Sequence, residues 1–430
     1  MKRRKNRIFI GLIEIAGYFA SLNDGFRQLG IDSCFFQYFE NRYYDGGSRF
    51  MKICQLISTY RYNGNKFTRI LFFPIDNSVK IFLFTWAVLK FDTFIFASNT
   101  TFFRYKELWL LKKMKKKIIY VFLGTESRPD YLSGNLINRY YIENGEVKNI
   151  KHCAESAANK SMVIKKIEKY ADYCINHPPC ALFHTRPYIK WLYVGFAFST
   201  IKKILGTQPV SYCDSIKILH APTNTETKGT YIFREVIERL KNEGHNIEYI
   251  EIIGQPNHKV LELLSQCDFV LDELYSDIPL GGLGTEAAFF KKPTISGGYY
   301  AEFIGADYDK DVIPPAVFCE PEKLEDSIRM LISNAELRKQ IGQEAYEFVN
   351  ANWDAKQVAG KYLKIINDEI PEEWFGDPYS LNYTLGYGQS KQQYKKVVSS
   401  ILNECGESGF SLDDKPYLIK QIQEDVKTTF

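Results

Sequence analysis

The stretch Pro279–Ala287, written PLGGLGTEA, constrains this chain more than any other. It follows an apolar run, Asp268–Leu271, that ends on the acidic pair Asp272 and Glu273, and it leads into Ala287, Ala288, Phe289 and Phe290. An apolar run without alternation is how a strand buried on both faces reads. The order is therefore strand, glycine-rich loop, then a helix beginning near Leu283–Glu286. Gly281, Gly282 and Gly284 leave backbone N–H groups unobstructed at that helix's start. Such an end attracts anions, because its first amides lack intrahelical partners and the helix dipole is positive there. Glu286 lies within a turn of it, where a carboxylate can accept two hydrogen bonds from a ribose diol. A plain strand-to-helix turn with a dipole-favoured glutamate has the same residues, so the stretch alone leaves both readings open.

At 430 residues the chain exceeds one ordinary core, which predicts two domains. Hydrophobic and charged fractions of 45% and 25% are those of a soluble globular protein. A net charge of +4 is too small to argue for nucleic acid. Nine cysteines form no CxxC pair, which predicts free thiols in a reducing compartment and no structural zinc. The opening MKRRKNRIFIGLIEIAG has the basic head and apolar run of a signal peptide, but Glu14 interrupts it and no small-residue cleavage site follows. It reads as a first strand, and the expected location is the cytoplasm.

In chain order, Arg7–Ile13 is a strand, Glu14–Gly17 a turn, Tyr18–Leu29 a helix closed by Gly30, and Ile31–Phe36 a second strand, the opening of a parallel sheet. Without GxGxxG, the Gly17 turn carries no dinucleotide fingerprint. Arg42–Asn65 is expected as a long loop holding a short helix, Arg69–Phe73 as a strand, and Asn77–Leu89 as a helix. Val79–Ala97 is the segment most like a membrane span, but Lys80, Lys90 and Asp92 divide it into pieces shorter than the roughly 20 residues a span needs. Helix then strand, Thr93–Ala97, is the better reading. Thr101–Lys117 is helical by pattern and ends in KKMKKK. Lys112, Lys113, Lys115, Lys116 and Lys117 suit a solvated helix end; the sharper reading is attraction to an anionic membrane surface. The strand Ile118–Phe122 delivers Gly124-Thr125-Glu126-Ser127-Arg128, a loop at a strand's carboxyl end where open sheets bind ligands. Glu126 and Arg128 are the candidates for chemistry there.

A linker is expected at Leu205–Ser215, after which the pattern restarts. Ile216–His220 is a strand, Ala221–Gly229 a polar loop, Thr230–Glu243 a helix and Ile247–Ile253 a strand. Lys259–Gln266 is a helix, Phe269–Leu271 and Lys292–Ile295 are strands, and Leu337–Ile366 is a helix kinked at Asn352–Asp354. The fold class is α/β, with two open sheets facing across a cleft. Pro371–Phe430 fits neither sheet and reads as a segment packed back over the body.

Together these motifs resemble the GT-B glycosyltransferases, specifically glycosyltransferase family 4 of bacterial polysaccharide clusters. The resemblance rests on HAPTN with Lys228 and Gly229, on CDFVLDEL (Cys267–Leu274), on GGLGTEAAFFKKPTIS (Gly281–Ser296) and, more loosely, on LGTESR (Leu123–Arg128). It implies two Rossmann-like domains: an acceptor domain over 1–205, a nucleotide-sugar donor domain over 216–366, and an extension over 367–430. It further implies that Glu286 grips the ribose and that Gly281, Gly282, Gly284 and Thr285 face the diphosphate. Lys228 would neutralise that diphosphate, Thr223, Asn224 and Gly229 would belong to the same loop, Asp272 would steer the glycine loop or meet the donor, and Gly17 would approach it from the other domain. The implied activity is retaining, metal-independent transfer of a sugar from a nucleotide-sugar, which is substrate rather than cofactor, to a glycan or lipid-linked acceptor at the inner membrane face. Ile278 stands where relatives carry a second glutamate, and Leu123 where they often carry histidine. These departures keep a non-catalytic nucleotide-sugar-binding protein in play, and the same fold also serves sugar-nucleotide epimerases.

Overall fold

Alternating apolar strands and helices build two parallel sheets. The computed structural model describes residues 6–40, 47–97, 100–199 and 215–427. Its strands are β1 (Arg7–Leu12), β2 (Asp32–Gln37), β3 (Thr93–Ala97), β4 (Lys117–Val121), β5 (Ile142–Glu143), β6 (Glu146–Val147), β7 (Tyr173–Asn176) and β8 (Tyr188–Lys190). After the expected linker, which apart from Ser215 lies outside the described residues, come β9 (Ile216–His220), β10 (Ile247–Glu251), β11 (Phe269–Leu271), β12 (Thr294–Gly297), β13 (Val317–Cys319) and β14 (Phe375–Gly376). The first sheet runs β14-β8-β7-β4-β3-β1-β2 and the second β10-β9-β11-β12-β13, while β5 and β6 form a separate hairpin. All neighbours in the two large sheets are parallel except β14 and β8. Ile8–Ile10 and Phe94–Phe96 are fully buried, as strands covered on both faces must be.

Both sheets reverse their winding after the second strand. The chain goes from β1 outward to β2 and then crosses to β3 on the other side of β1; β9, β10 and β11 repeat the move. A reversal of this kind opens a crevice at the strands' carboxyl ends. The two crevices face each other, since residues just after β1 (Glu14, Ile15, Ala16) and just after β9 (Ala221, Pro222, Thr223) line one cavity. The chain thus forms two Rossmann-like domains facing across a cleft, the GT-B architecture.

The C-terminal part of the chain returns to the first domain. The helix Ala355–Ile366 packs on α1 (Tyr18–Gln28), where the hydroxyls of Tyr18 and Tyr362 lie 2.9 Å apart in the core. Strand β14 then extends the first sheet, and the helix Lys391–Cys405 packs on the helix Ile150–Tyr170. Residues expected as an appended extension are therefore structural members of the N-terminal domain.

Four local expectations change. Arg69–Phe73 is not a strand: it lies inside α3 (Lys66–Lys90), a single helix through Pro74 that also takes in the expected helix at Asn77–Leu89. The short helix expected within the loop Arg42–Asn65 is longer, α2 (Arg49–Tyr62), and it packs against α3 as a helical hairpin. Of Thr101–Lys117 only Leu108–Lys113 is α-helical, and Lys117 already belongs to β4. The kinked helix is two helices, Ala335–Asn352 and Ala355–Ile366, the second capped by Asp354 through the amide of Lys356 at 3.0 Å.

One buried ion pair joins the domains. Arg128, on the loop after β4, meets Asp277, on the loop after β11, with side chains 3% and 5% exposed. Removing one member of such a pair strands the other charge in a low-dielectric interior, at a cost of about 3–5 kcal/mol. Arg128→Met is therefore expected to lower stability in urea unfolding by several kcal/mol, and the double variant Arg128→Met/Asp277→Leu to be clearly more stable than Arg128→Met alone.

Candidate active site

The second domain's crevice is organised by the acids at the end of β11. Asp272 is buried, and its Oδ2 accepts hydrogen bonds from the amides of Gly281 and Gly284, each at 3.2 Å. A carboxylate is favoured there because a helix, Gly282–Phe289, begins at this loop. Two of the glycine amides expected to face a diphosphate are thus taken by the protein's own carboxylate. Gly282 and Leu283 are the loop residues that line the neighbouring cavity. Thr285 is turned away, its hydroxyl donating to the carbonyl of Gly281 at 2.8 Å.

Lys228 arrives from the loop after β9. Its ammonium pairs with Glu273 and lies 3.6 Å from Asp272. Burial pulls its pKa below the usual lysine range, opposed by the charge of Asp272. The loop that carries it is internally fixed. The Asn224 side chain accepts from the amides of Glu226 and Thr227, both at 3.0 Å. Gly229 has a φ of +69°, and a Cβ there would sit 2.5 Å from Leu274. Asn224 and Gly229 therefore shape the loop, while Thr223 and Lys228 line the cavity. His220 is held neutral by burial, its pKa lowered to about 4; its Nδ1 lies 2.8 Å from the carbonyl of Leu271 and its Nε2 2.8 Å from the Thr230 hydroxyl, tying β9 to β11 and to the following helix.

The cavity between the domains has a volume of about 400 Å³. Glu286 lies on its wall, 6% exposed, and accepts a 2.7 Å hydrogen bond from Asn257 Nδ2. Burial pushes its pKa up to about 7 against that hydrogen bond, and the charge of Asp272 adds to the rise. Gly254, Gln255 and Asn257 complete this wall. Opposite stands Glu14, which caps α1: Oε1 accepts from the amides of Ile15 (2.7 Å) and Phe19 (3.1 Å), and Oε2 from that of Ala20 (2.9 Å). Burial raises its pKa to about 7 as well, against those three bonds. Gly17 does not line the cavity; with φ at +75° it makes the left-handed turn that lets Glu14 reach back to the helix.

A second cavity of about 440 Å³ adjoins the first and shares Ile15, Ala16 and Gly282 with it. Glu126 lines it, its Oε1 accepting from the amide of Leu123 at 2.7 Å. Arg128 lines it too, but it is held by Asp277 rather than by Glu126, and it also donates to Cys180 Sγ at 2.9 Å beneath the ring of Tyr387. His177, at the rigid turn after β7, faces this cavity as a neutral imidazole, its pKa lowered to about 3 by burial. It links the carbonyl of Asp277 and the hydroxyl of Tyr308, each at 2.8 Å. Ile278 places an apolar side chain on the same wall. The D-x-D spacings at Asp307–Asp309 and Asp309–Asp311 line neither cavity; Asp307 accepts from Tyr300 and Asp309 from Tyr193.

Of the residues singled out from sequence, Thr223, Lys228, Gly282 and Glu286 meet in the first cavity, and Glu126, Arg128, Gly281 and again Gly282 in the second. Asp272, Gly284, Thr285, Asn224, Gly229 and Gly17 act behind them as scaffold. Sequence reasoning missed Glu14, His177 and Tyr387. Only Glu14 left a trace, as a lone acid between an apolar strand and a glycine turn.

No protein-family model and no curated protein matches the chain. Solved structures similar to it include Anabaena HepE in complex with UDP-glucose, at TM-score 0.46 and 12% identity over 85% of this chain and 100% of that one. The glycosyltransferase of kitacinnamycin aligns at TM-score 0.44 and 10% identity, over 86% and 100%. Staphylococcus aureus MnaA with UDP aligns at TM-score 0.42 and 14% identity, over 86% and 99%.

Proposed function

We propose that this chain is a glycosyltransferase that takes a sugar from a nucleotide-sugar and passes it to a glycan or lipid-linked acceptor at the cytoplasmic face of a membrane. The observation that carries the reading is the pair of joined cavities at the two facing switch points, one holding Glu286 and Lys228 and the other Glu126. In this reading the ribose diol donates to Glu286, already oriented by Asn257, and the base lies against Gly254 and Gln255. The diphosphate meets Lys228 and the amides of Gly282 and Leu283. The sugar then points through the shared opening toward the second cavity. As the sugar's C1–O bond breaks, its electron pair stays on the diphosphate oxygen. The lysine and the helix N-terminus stabilise that growing charge, so the step needs no metal. The acceptor hydroxyl bonds to C1 on the face the diphosphate leaves, with retention, and its proton passes to Glu126. Lys228 exchanges Glu273 for the diphosphate when the donor enters.

The test is a panel of UDP-, GDP- and dTDP-sugars scored for hydrolysis or transfer by mass spectrometry. One donor is expected to be consumed. Glu286→Gln should weaken its binding about tenfold or more, the size of a lost charge-assisted hydrogen bond. Glu126→Gln should leave donor binding intact and lower turnover by about a hundredfold, the usual scale of one acid–base group; near-normal turnover would remove Glu126 from the mechanism. A second reading, donor binding without transfer, draws on Ile278 and on the commitment of Arg128 to Asp277, and tight binding with no turnover on any donor or lipid-linked acceptor would favour it.

The pH dependence follows from Glu286. Its pKa near 7 means that the diol-accepting carboxylate is lost as pH falls through that value. Donor affinity is expected to be about tenfold weaker at pH 6 than at pH 8. Calorimetry should show that dependence flattened in Glu286→Gln, which separates it from any contribution of Glu14.

A further inference from the structure

Helix α3 is apolar on its outward face, which a helix on the surface of a water-facing domain is not. Its inner face, with Asp76, Lys80, Leu83 and Ala87, is buried against the first domain's aromatic core. The opposite face carries Phe67, Ile70, Leu71, Ile81, Phe82 and Leu89, each between 52% and 75% exposed. Pro74, Ser78 and Thr85 fill the gaps in that stripe, so no charge interrupts it from Phe67 to Leu89, a length of about 33 Å. Helix α2 adds exposed Phe50, Ile53, Leu56 and Tyr60. By length and composition α3 could cross a bilayer. Its buried inner face instead holds it along the domain, so the stripe is presented sideways.

The charges of the hairpin have one sign at the surface. Its single acid, Asp76, is buried, pairs with Lys80 at 3.0 Å and accepts from the hydroxyl of Tyr38 at 2.6 Å. The other charges, Arg49, Lys52, Arg61, Lys66, Arg69 and Lys90, are all basic. Arg61, Lys66 and Arg69 share an open groove with Ile70 and Phe73 near the hairpin's turn. A long apolar stripe on a hairpin whose own exposed charges are all basic is complementary to one kind of surface, an anionic lipid bilayer. Beside α2, Glu40 accepts from the Thr59 hydroxyl at 3.1 Å.

The lysine run read from sequence as a membrane contact is largely engaged elsewhere. Lys112 pairs with Asp172 at 2.5 Å, Lys116 donates to the carbonyl of Phe91 at 2.6 Å, and Lys117 pairs with Asp368. The hairpin also stands in a more useful place. Helix α3 leads into β3 and so runs against the strands. Tyr38, just beyond the carboxyl end of β2, contacts α3 at Asp76. Residues 66–75, about 15 Å of helix, therefore lie toward the sheet edge at which the cleft opens.

We propose that the α2–α3 hairpin docks this chain onto an anionic phospholipid bilayer, the α3 stripe lying at the acyl boundary and Arg61, Lys66 and Arg69 among the phosphates. The assignment does not depend on the transferase reading. Its test is flotation of the full chain with vesicles of phosphatidylcholine alone and of phosphatidylcholine with about one third phosphatidylglycerol. The chain is expected to float with the anionic vesicles and to stay behind with the neutral ones. Phe67→Asp/Leu71→Asp, at exposed positions, should keep its circular dichroism and melting temperature and lose at least tenfold in binding. Arg61→Gln/Lys66→Gln/Arg69→Gln should lose most of the dependence on phosphatidylglycerol, and Lys113→Gln/Lys115→Gln should bind as the parent does. A chain that never floats, equal binding to both vesicles, or flotation unchanged by the aspartates overturns the proposal. So does a dimer in light scattering that Phe67→Asp/Leu71→Asp dissociates without any vesicle binding, because the face then belongs to a second copy.

Discussion

The pairing of Arg128 with Asp277 is the interaction on which the cleft's geometry most depends. Each is a buried charge that its own domain does not neutralise, so each requires the other domain to stay where it is. The arginine also donates to Cys180 and lies beneath Tyr387, which the returning C-terminal segment supplies. His177 reinforces the same point from the first domain by bonding to the carbonyl of Asp277. Three parts of the chain thus converge on one wall of the second cavity. A cleft held in this way presents its reactive surfaces already spaced, so less ordering is left to the substrate.

The same logic, applied to a site that must open, operates at Asp272, Glu273 and Lys228. Asp272 spends its carboxylate on the glycine loop and so fixes the helix start without an external anion. Glu273 holds Lys228 in the absence of one. The two acids have different fates in the proposed mechanism: Asp272 stays as scaffold, while Glu273 releases the lysine to a diphosphate. With Glu14 and Glu286 also on the walls, the pocket is rich in carboxyls, and burial answers this by raising two of them toward neutrality near pH 7.

Much of this was legible in the sequence because parallel strands leave a simple mark. β1, β3, β4, β9 and β11 are short apolar runs bounded by glycine or polar turns, and the loops that follow them hold most of the candidate site. Glu286 could be placed because a helix start can be read from glycines and a following apolar stretch. Tertiary partners could not be placed. Nothing local distinguishes an arginine that meets a substrate from one that meets an aspartate 149 residues away, or a glycine amide left free from one taken by Asp272. The first part of helix α3 was missed for a different reason. Ile70–Phe73 is an unbroken apolar run ending beside Pro74, which reads as a buried strand, because periodicity identifies a helix only when one of its faces is polar. The outward face of α3 is not, and that failure of pattern is the mark of the surface proposed to meet lipid.

The central claim is that the interdomain cavity is a nucleotide-sugar site built around Glu286 and Lys228. A crystal structure of the chain with its nucleoside diphosphate bound tests it most directly. The account predicts the ribose diol on Glu286, the diphosphate against Gly282, Leu283 and Lys228, and the lysine withdrawn from Glu273 while Asp272 still holds Gly281 and Gly284. A nucleotide bound outside this cavity, or a diphosphate seated with Lys228 still paired to Glu273, would contradict it.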